Sequence, residues 1–261
     1  MKVLLLRANG LRHQALSSIL QNAGHLSAEV VESKSPSTKQ STSPLVIQHF
    51  EAREQSEKDF FQFLINPLTS CPKLEVEYGQ LNSNSVFDFI DEIEFDVTIT
   101  FGVSILHSIL IQKLRNEILG IHLGLSPYYR GSGTNFFPFV NSQLAAIGYT
   151  LMHLSPGIDD GEIIHQGRAP VVLGDSIHTI GNRNITKMMI DIVELLDLKF
   201  DFSAEKNRIM ADGKLYKRRD FTQEALREAL KNIESGLIAN YLVNSKNELR
   251  DFPIIRHQSL R

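Results

Sequence analysis

His122 and Asp159 are the residues of this sequence best suited to moving protons, and both fall in one stretch. Residues 117–166 read EILGIHLGLSPYYRGSGTNFFPFVNSQLAAIGYTLMHLSPGIDDGEIIHQ. A short apolar run (Ile118, Leu119, Ile121) ends in His122 and breaks into a loop rich in Gly, Ser and Pro. A second apolar run, 146–154, leads to a loop carrying Asp159 and Asp160, and a β-rich run follows at 162–165. Polar loops fed by strand ends are where α/β proteins place chemistry, because the sheet holds the loop residues rigidly. An imidazole and a carboxylate on two such loops are acid–base candidates. A lone His or Asp is ordinarily structural, and it is the pairing of the loops that lifts these two above that reading. His122, His153, His165 and Asp159 also raise a metal cluster, which ranks low because no pair has the local spacing that fixes a metal site.

The elements that must position these residues come from the rest of the chain. Residues 3–6 form a continuous apolar run, the pattern of a strand buried on both faces. Asn9-Gly10 turns the chain, a helical period covers 11–23 with Gly24 as its C-cap, and 29–32 reads as the next strand. Strand, turn, helix and strand in that order predict a doubly wound α/β unit. The turn lacks G-x-G-x-x-G, so no dinucleotide site is read there. Arg7, Arg12 and His13 are open to two readings, contact with an anionic substrate or a solvated surface. Residues 33–44 (SKSPSTKQSTSP) predict a mobile insertion. Further helices are expected at 45–66 and 84–93, and strands at 74–78 and 96–101. Ser104 is placed to cap a helix over 105–114, and Thr134 and Asn135 a helix over 136–140. Strands follow at 148–154 and 162–165. Asp175 and Ser176 open a long amphipathic helix that closes the main domain at residue 199. Beyond it lie a basic segment, Lys217 to Arg219, one helix over 222–242 and a polar tail.

The 261 residues can bury a substantial core as one large domain, or as one domain with an appendage. The division expected is 1–199 with a small helical region at 200–261. Hydrophobic content of 42% and charged content of 22% are ordinary for a soluble globular protein. A net charge of −3 supplies no field that would draw the chain to nucleic acid or an anionic membrane. The single cysteine, Cys71, excludes an intrachain disulfide and a cysteine-based zinc site. No apolar run reaches membrane-spanning length, and the first residues are too briefly apolar for a signal peptide, so a cytoplasmic enzyme is expected.

The central stretch resembles the formyltransferase family, the folate-dependent enzymes that move a formyl group from 10-formyltetrahydrofolate to an amine. That family carries Asn-x-His at a strand end, then Pro-x-Tyr-Arg-Gly, then a loop with Asp-x-Gly-x-Ile. Here these stand as Gly120-Ile121-His122, Pro127-Tyr128-Tyr129-Arg130-Gly131 and Asp159-Asp160-Gly161-Glu162-Ile163. The family's Asn position is therefore Gly120. The resemblance implies a Rossmann-like α/β fold, a mostly parallel twisted sheet flanked by helices, with a small helical C-terminal extension. It implies His122 and Asp159 as catalytic, with Gly120 at the place of the oxyanion donor. It places Gly102, Val103, Ser104, Ile105, Gly157 and Ile158 against the folate co-substrate. Tyr129, Arg130, Gly131 and Lys217 fall on the acceptor side, Lys217 as part of a clamp for substrate phosphates or, on the other reading, of a solvated face. No metal is expected.

Three functions follow. The leading one is an N-formyltransferase acting on an amino sugar attached to a nucleotide in surface-polysaccharide biosynthesis, with a homodimer as one assembly. Formylation of methionyl-tRNA is the alternative, disfavoured because few residues follow 199 and an acidic chain suits a polyanion poorly. The absence of a Gly-Ser phosphate loop after the first strand argues against the purine-pathway substrate. The third is a weakly active or inactive folate-binding protein that lost the oxyanion donor with the change to Gly120.

Overall fold

The computed structural model describes residues 1–33, 43–66, 71–204 and 206–260. The insertion expected at 33–44 lies, apart from its ends, outside them. The chain opens with β1 (Val3–Ala8), α1 (Leu11–Asn22), β2 (Leu26–Glu32), α2 (Pro44–Phe61), β3 (Lys73–Val76) and α3 (Asn84–Asp91). It continues through β4 (Val97–Phe101), α4 (Ser108–Leu114), β5 (Glu117–His122), β6 (Tyr129–Gly131), α5 (Phe137–Val140), β7 (Tyr149–His153) and β8 (Ile163–Gly167). Last come α6 (Ile177–Asp197), β9 (Lys214–Tyr216), α7 (Gln223–Glu234) and α8 (Leu237–Asp251).

The sheet has seven strands in the order β3-β2-β1-β4-β5-β7-β8. The first five are parallel, and β7 and β8 run antiparallel to their neighbours. The doubly wound expectation holds. Strand order reverses between β1 and β4, and in such sheets the crevice outside the carboxyl ends of the strands at that switch receives ligands. The loop from Gly102 leaves the carboxyl end of β4 at that place.

Parallel strands covered on both sides read as unbroken apolar runs, and β1 shows why. Val3 and Leu5 pack with Leu16 and Leu20 of α1, Phe61 of α2, and Met188 and Leu195 of α6. Leu4 and Leu6 face the other way, toward Val86 of α3 and Leu110 and Leu114 of α4. Helix α6 begins as expected: the Ser176 side chain accepts from the N–H groups of His178 and Thr179, and the Thr179 hydroxyl accepts from Ser176 N. That reciprocal pair satisfies donors that a helix start otherwise leaves open.

Four local expectations are corrected. Arg7 is neither solvated nor at a substrate: its guanidinium grips buried Glu29 with two bonds of 2.7 and 2.9 Å. His13 is buried against Phe101, and Arg12 pairs with Glu57 at 3.3 Å. Ser104 caps no helix, since α4 starts only at Ser108 and the Ser104 hydroxyl donates instead to Glu32. Thr134 and Asn135 do not cap α5 either; their side chains bond Leu123 O and Gly148 N. The helix expected at 222–242 is two helices, because Gly236 takes φ +88°, a left-handed turn that ends the first.

α7 packs on α5, and Leu226, Ala229 and Ile238 share a core with Tyr128, Tyr129, Phe136 and Phe137. The chain then returns to β8. Gln166 N donates to Ile255 O, His257 N to His165 Nδ1, and Leu260 enters the core under the sheet.

Candidate active site

β5 sets the site. Ile118, Gly120 and His122 alternate onto one face of the strand, with Ile118 among the apolar residues on the α3 and α4 side. Leu154 N donates to Ile118 O near the start of β5, and five residues later Asp159 meets His122 at its end. The loop between β7 and β8 therefore runs back alongside β5, from Ile118 to His122. This fold-back, rather than a simple strand end, brings the carboxylate to the imidazole.

His122 Nδ1 lies 3.1 Å from Asp159 Oδ2, and Nε2 lies 2.9 Å from Tyr129 O. Both ring nitrogens face oxygen atoms, so a neutral ring can donate to only one of them. The imidazole side chain is 6% exposed and the carboxylate 27%, so solvent meets the pair on the Asp159 side. Asp159 adopts φ +49°, an unusual backbone that Asp tolerates better than most residues. Two bonds hold it there: Gly131 N donates to Oδ2 at 2.8 Å and the Ser126 hydroxyl to its main-chain oxygen at 2.8 Å. Gly131 itself has φ +89°, and a Cβ there would collide with Tyr216 O across the short β6–β9 sheet.

At Gly120 there is room. A Cβ added to it would meet nothing nearer than Thr100 Oγ1 at 3.8 Å and Met152 at 3.9 Å, ordinary contact distances. The site thus holds an acid–base pair beside a strand position with no side chain to donate. That pattern, on this sheet, agrees with a match to the model of the formyl transferase family over residues 6–194, more than half of the chain. The chain belongs to the formyl transferase family.

Among relatives, a methionyl-tRNA formyltransferase from Finegoldia magna is 25% identical over 165 residues, 57% of this chain and 52% of that protein. The chain thus spans about half the length of that relative. A sugar N-formyltransferase from Shewanella has the same fold with a TM-score of 0.54, 15% identity, and 89% and 88% of the two chains covered. An N-formyltransferase from Helicobacter canadensis, solved with folinic acid and dTDP-3-aminofucose, gives a TM-score of 0.51 at 15% identity, with 89% and 80% covered.

The other residues singled out in the formyl transferase motifs lie as follows. Gly102, Val103, Ser104 and Ile105 follow β4, with Ile105 80% exposed. Gly157 and Ile158 belong to the loop between β7 and β8, and Ile158 is also exposed. Arg130 reaches toward Asp160, Nη1 to Oδ2 4.0 Å, while its Nε is buried without a hydrogen-bond partner among the described residues. The Tyr129 side chain turns away from the pair into the core, where its hydroxyl donates to Gln143 at 2.5 Å and burial pushes its pKa up to about 12. Lys217 is exposed beside this region; Tyr216 O, one residue before it, accepts from Ser132 N. His153 and His165 are drawn to Glu117 and Asp191, away from His122. Among the described residues no three His, Cys, Asp or Glu are grouped to hold a metal, and no helix is long and apolar enough to cross a membrane.

Sequence reasoning missed Ser126 and Gln166. Gln166 is fully buried; its Nε2 donates to Ser126 O at 2.7 Å, and its Oε1 accepts from Ile255 N at 3.2 Å. A polar side chain within the apolar run IIHQ was the available signal. A cavity of about 350 Å³ opens on the far side of β6 near Tyr129, Gln143 and Lys214, and one of about 440 Å³ lies by Lys2, Asp96 and Asn116. Neither touches His122 or Asp159.

Proposed function

We propose that this chain is an N-formyltransferase that moves a formyl group from 10-formyltetrahydrofolate to the amine of a nucleotide-linked amino sugar. The observation that carries the proposal is the His122–Asp159 contact at 3.1 Å, made by a family member at the end of β5. The amine nitrogen attacks the formyl carbon, the bond from that carbon to the folate nitrogen breaks, and a proton passes from the amine to the departing nitrogen. Asp159, the more exposed partner, takes up the proton, and His122 holds the carboxylate in place and shares the charge. The two loops at the carboxyl ends of β4 and β7 present apolar side chains that suit a flat, partly apolar co-substrate: Ile105 and Ile158 are 80% and 56% exposed. Arg130 and Lys217 supply positive charge for the phosphates of the acceptor. The Helicobacter neighbour, crystallised with a reduced folate and a nucleotide-linked amino sugar, supports the choice of acceptor class.

Gly120 favours a second reading, a protein that binds folate and turns over slowly or not at all. A single experiment separates the two. The chain is incubated with 10-formyltetrahydrofolate and a panel of nucleotide-linked amino sugars, and the acceptor is examined by mass spectrometry for a formamido product. A product supports the transferase. Folate binding by calorimetry without product on any amine supports the binding protein, and neither binding nor product overturns both.

A further inference from the structure

We propose that Glu32 is a positioning residue that holds residues 102–107 in the shape that receives the folate; this rests on the co-substrate proposed above. Glu32 ends β2 after the buried Val30 and Val31 and is 1% exposed. A carboxylate is costly to bury unless its oxygens find donors. Here they do. Oε1 accepts from Gly79 N at 2.8 Å and from the Ser104 hydroxyl at 2.5 Å, and Oε2 accepts from Ser104 N at 2.7 Å.

These bonds cross the sheet. β1 lies between β2 and β4, so Glu32 reaches past the central strand to take hold of the loop that leaves β4. Asn82 makes a second attachment: its Nδ2 donates to Ile105 O at 3.1 Å and its Oδ1 accepts from His107 N at 2.7 Å. Between the two attachments Ile105 stands 80% exposed at the mouth of the crevice. Leu106 seats the far end of the loop in the core and Val103 packs against the same cluster. Ile105 between them turns to water, so it is the hydrogen bonds at Ser104, Ile105 and His107 that set the main chain there. Glu32 makes no contact with His122 or Asp159, and every group it binds is a donor. Glutamine in its place would turn an amide donor toward another donor, and aspartate is one methylene too short.

The test uses the whole chain with Glu32→Gln and the milder Ser104→Ala, which keeps the main-chain bond to Oε2. With tetrahydrofolate as a non-reactive probe, Glu32→Gln should raise Kd, and the KM for 10-formyltetrahydrofolate, about tenfold, the scale of one lost bond to a charged group. Ser104→Ala should raise both about threefold, and in Glu32→Gln kcat should stay within about twofold, because that residue alters only binding. Amide exchange at Gly79 and Ser104 should quicken in Glu32→Gln. A folded Glu32→Gln protein with unchanged Kd and KM overturns the proposal, as does a fall in kcat at constant KM. If Glu32→Gln does not fold, an unchanged Kd in Ser104→Ala overturns it. If the wild-type chain binds no reduced folate, the co-substrate reading fails with it. Amide exchange then reports separately on the anchor, and unchanged exchange in both variants refutes that as well.

Discussion

Ser126 Oγ donates across 2.8 Å to the main-chain oxygen of Asp159, fastening the loop that carries the carboxylate to the loop that follows β5. Asp159 needs such a restraint because its φ of +49° is a conformation that a free loop seldom keeps. Ser126→Ala should lower kcat about tenfold while costing about 0.5–1.5 kcal/mol of stability, the usual worth of one hydrogen bond. Steady-state kinetics and urea unfolding check both numbers. An unchanged kcat would show that the Gly131 bond alone sets the carboxylate.

His122→Ala removes the ring from between Asp159 and Tyr129 O. Turnover should fall at least about a hundredfold, within the range that positioned acid–base groups contribute. The oxygen of Tyr129 then loses its partner in a buried place, so stability should drop by about 1–3 kcal/mol. Circular dichroism with thermal melting separates the two effects. A variant that is folded and near wild-type in rate would remove His122 from the chemistry.

The stability of the chain should depend on pH through His49 and His178, whose rings lie 4.6 Å apart between α2 and α6. Burial pushes each pKa down to about 4; the partner ring and Arg53 add to the effect at His49, and Arg53 adds to it at His178. Between about pH 6.5 and pH 4 the unfolded chain binds protons that the folded one refuses. Stability is therefore full above pH 6.5 and is lost as the pH falls toward 4. His49→Phe, which suits neighbours Phe50, Phe136 and Phe221, should flatten that loss. Urea midpoints at several pH values read the difference, and parallel slopes for the two proteins would rule the pair out.

Much of this architecture was legible from residue order. The apolar run of β1 announced a strand covered on both faces, and Asp175 with Ser176 announced the start of α6. The misreadings share one cause: a distant partner claimed a side chain whose local role looked obvious. Ser104 and Thr134 both looked like helix caps, but Glu32 and Leu123 take their hydroxyls. Gly236 was visible as a glycine, yet the helical period continues across it, and only its positive φ separates α7 from α8. At the site, His122 and Asp159 were found by motif. The run of the β7–β8 loop back alongside β5, and the bond from Ser126, are non-local and left no periodic trace.

Gly120→Asn should raise kcat at least about tenfold with KM moved less, because an oxyanion donor acts mainly in the transition state and its loss costs about 10²–10³ in comparable enzymes. The strand has room for the Cβ, with Thr100 and Met152 at ordinary contact distance. A folded variant that gains nothing would mean that another group already donates to the oxyanion.

The central claim is that the His122–Asp159 pair transfers the formyl group. Its most direct test is the single-turnover rate of formyl transfer from 10-formyltetrahydrofolate to an amino-sugar nucleotide, in the wild-type chain and in Asp159→Asn. The account predicts measurable transfer by the wild type and a rate about a hundredfold lower in the variant, with folate affinity preserved. Equal rates in the two proteins would contradict it.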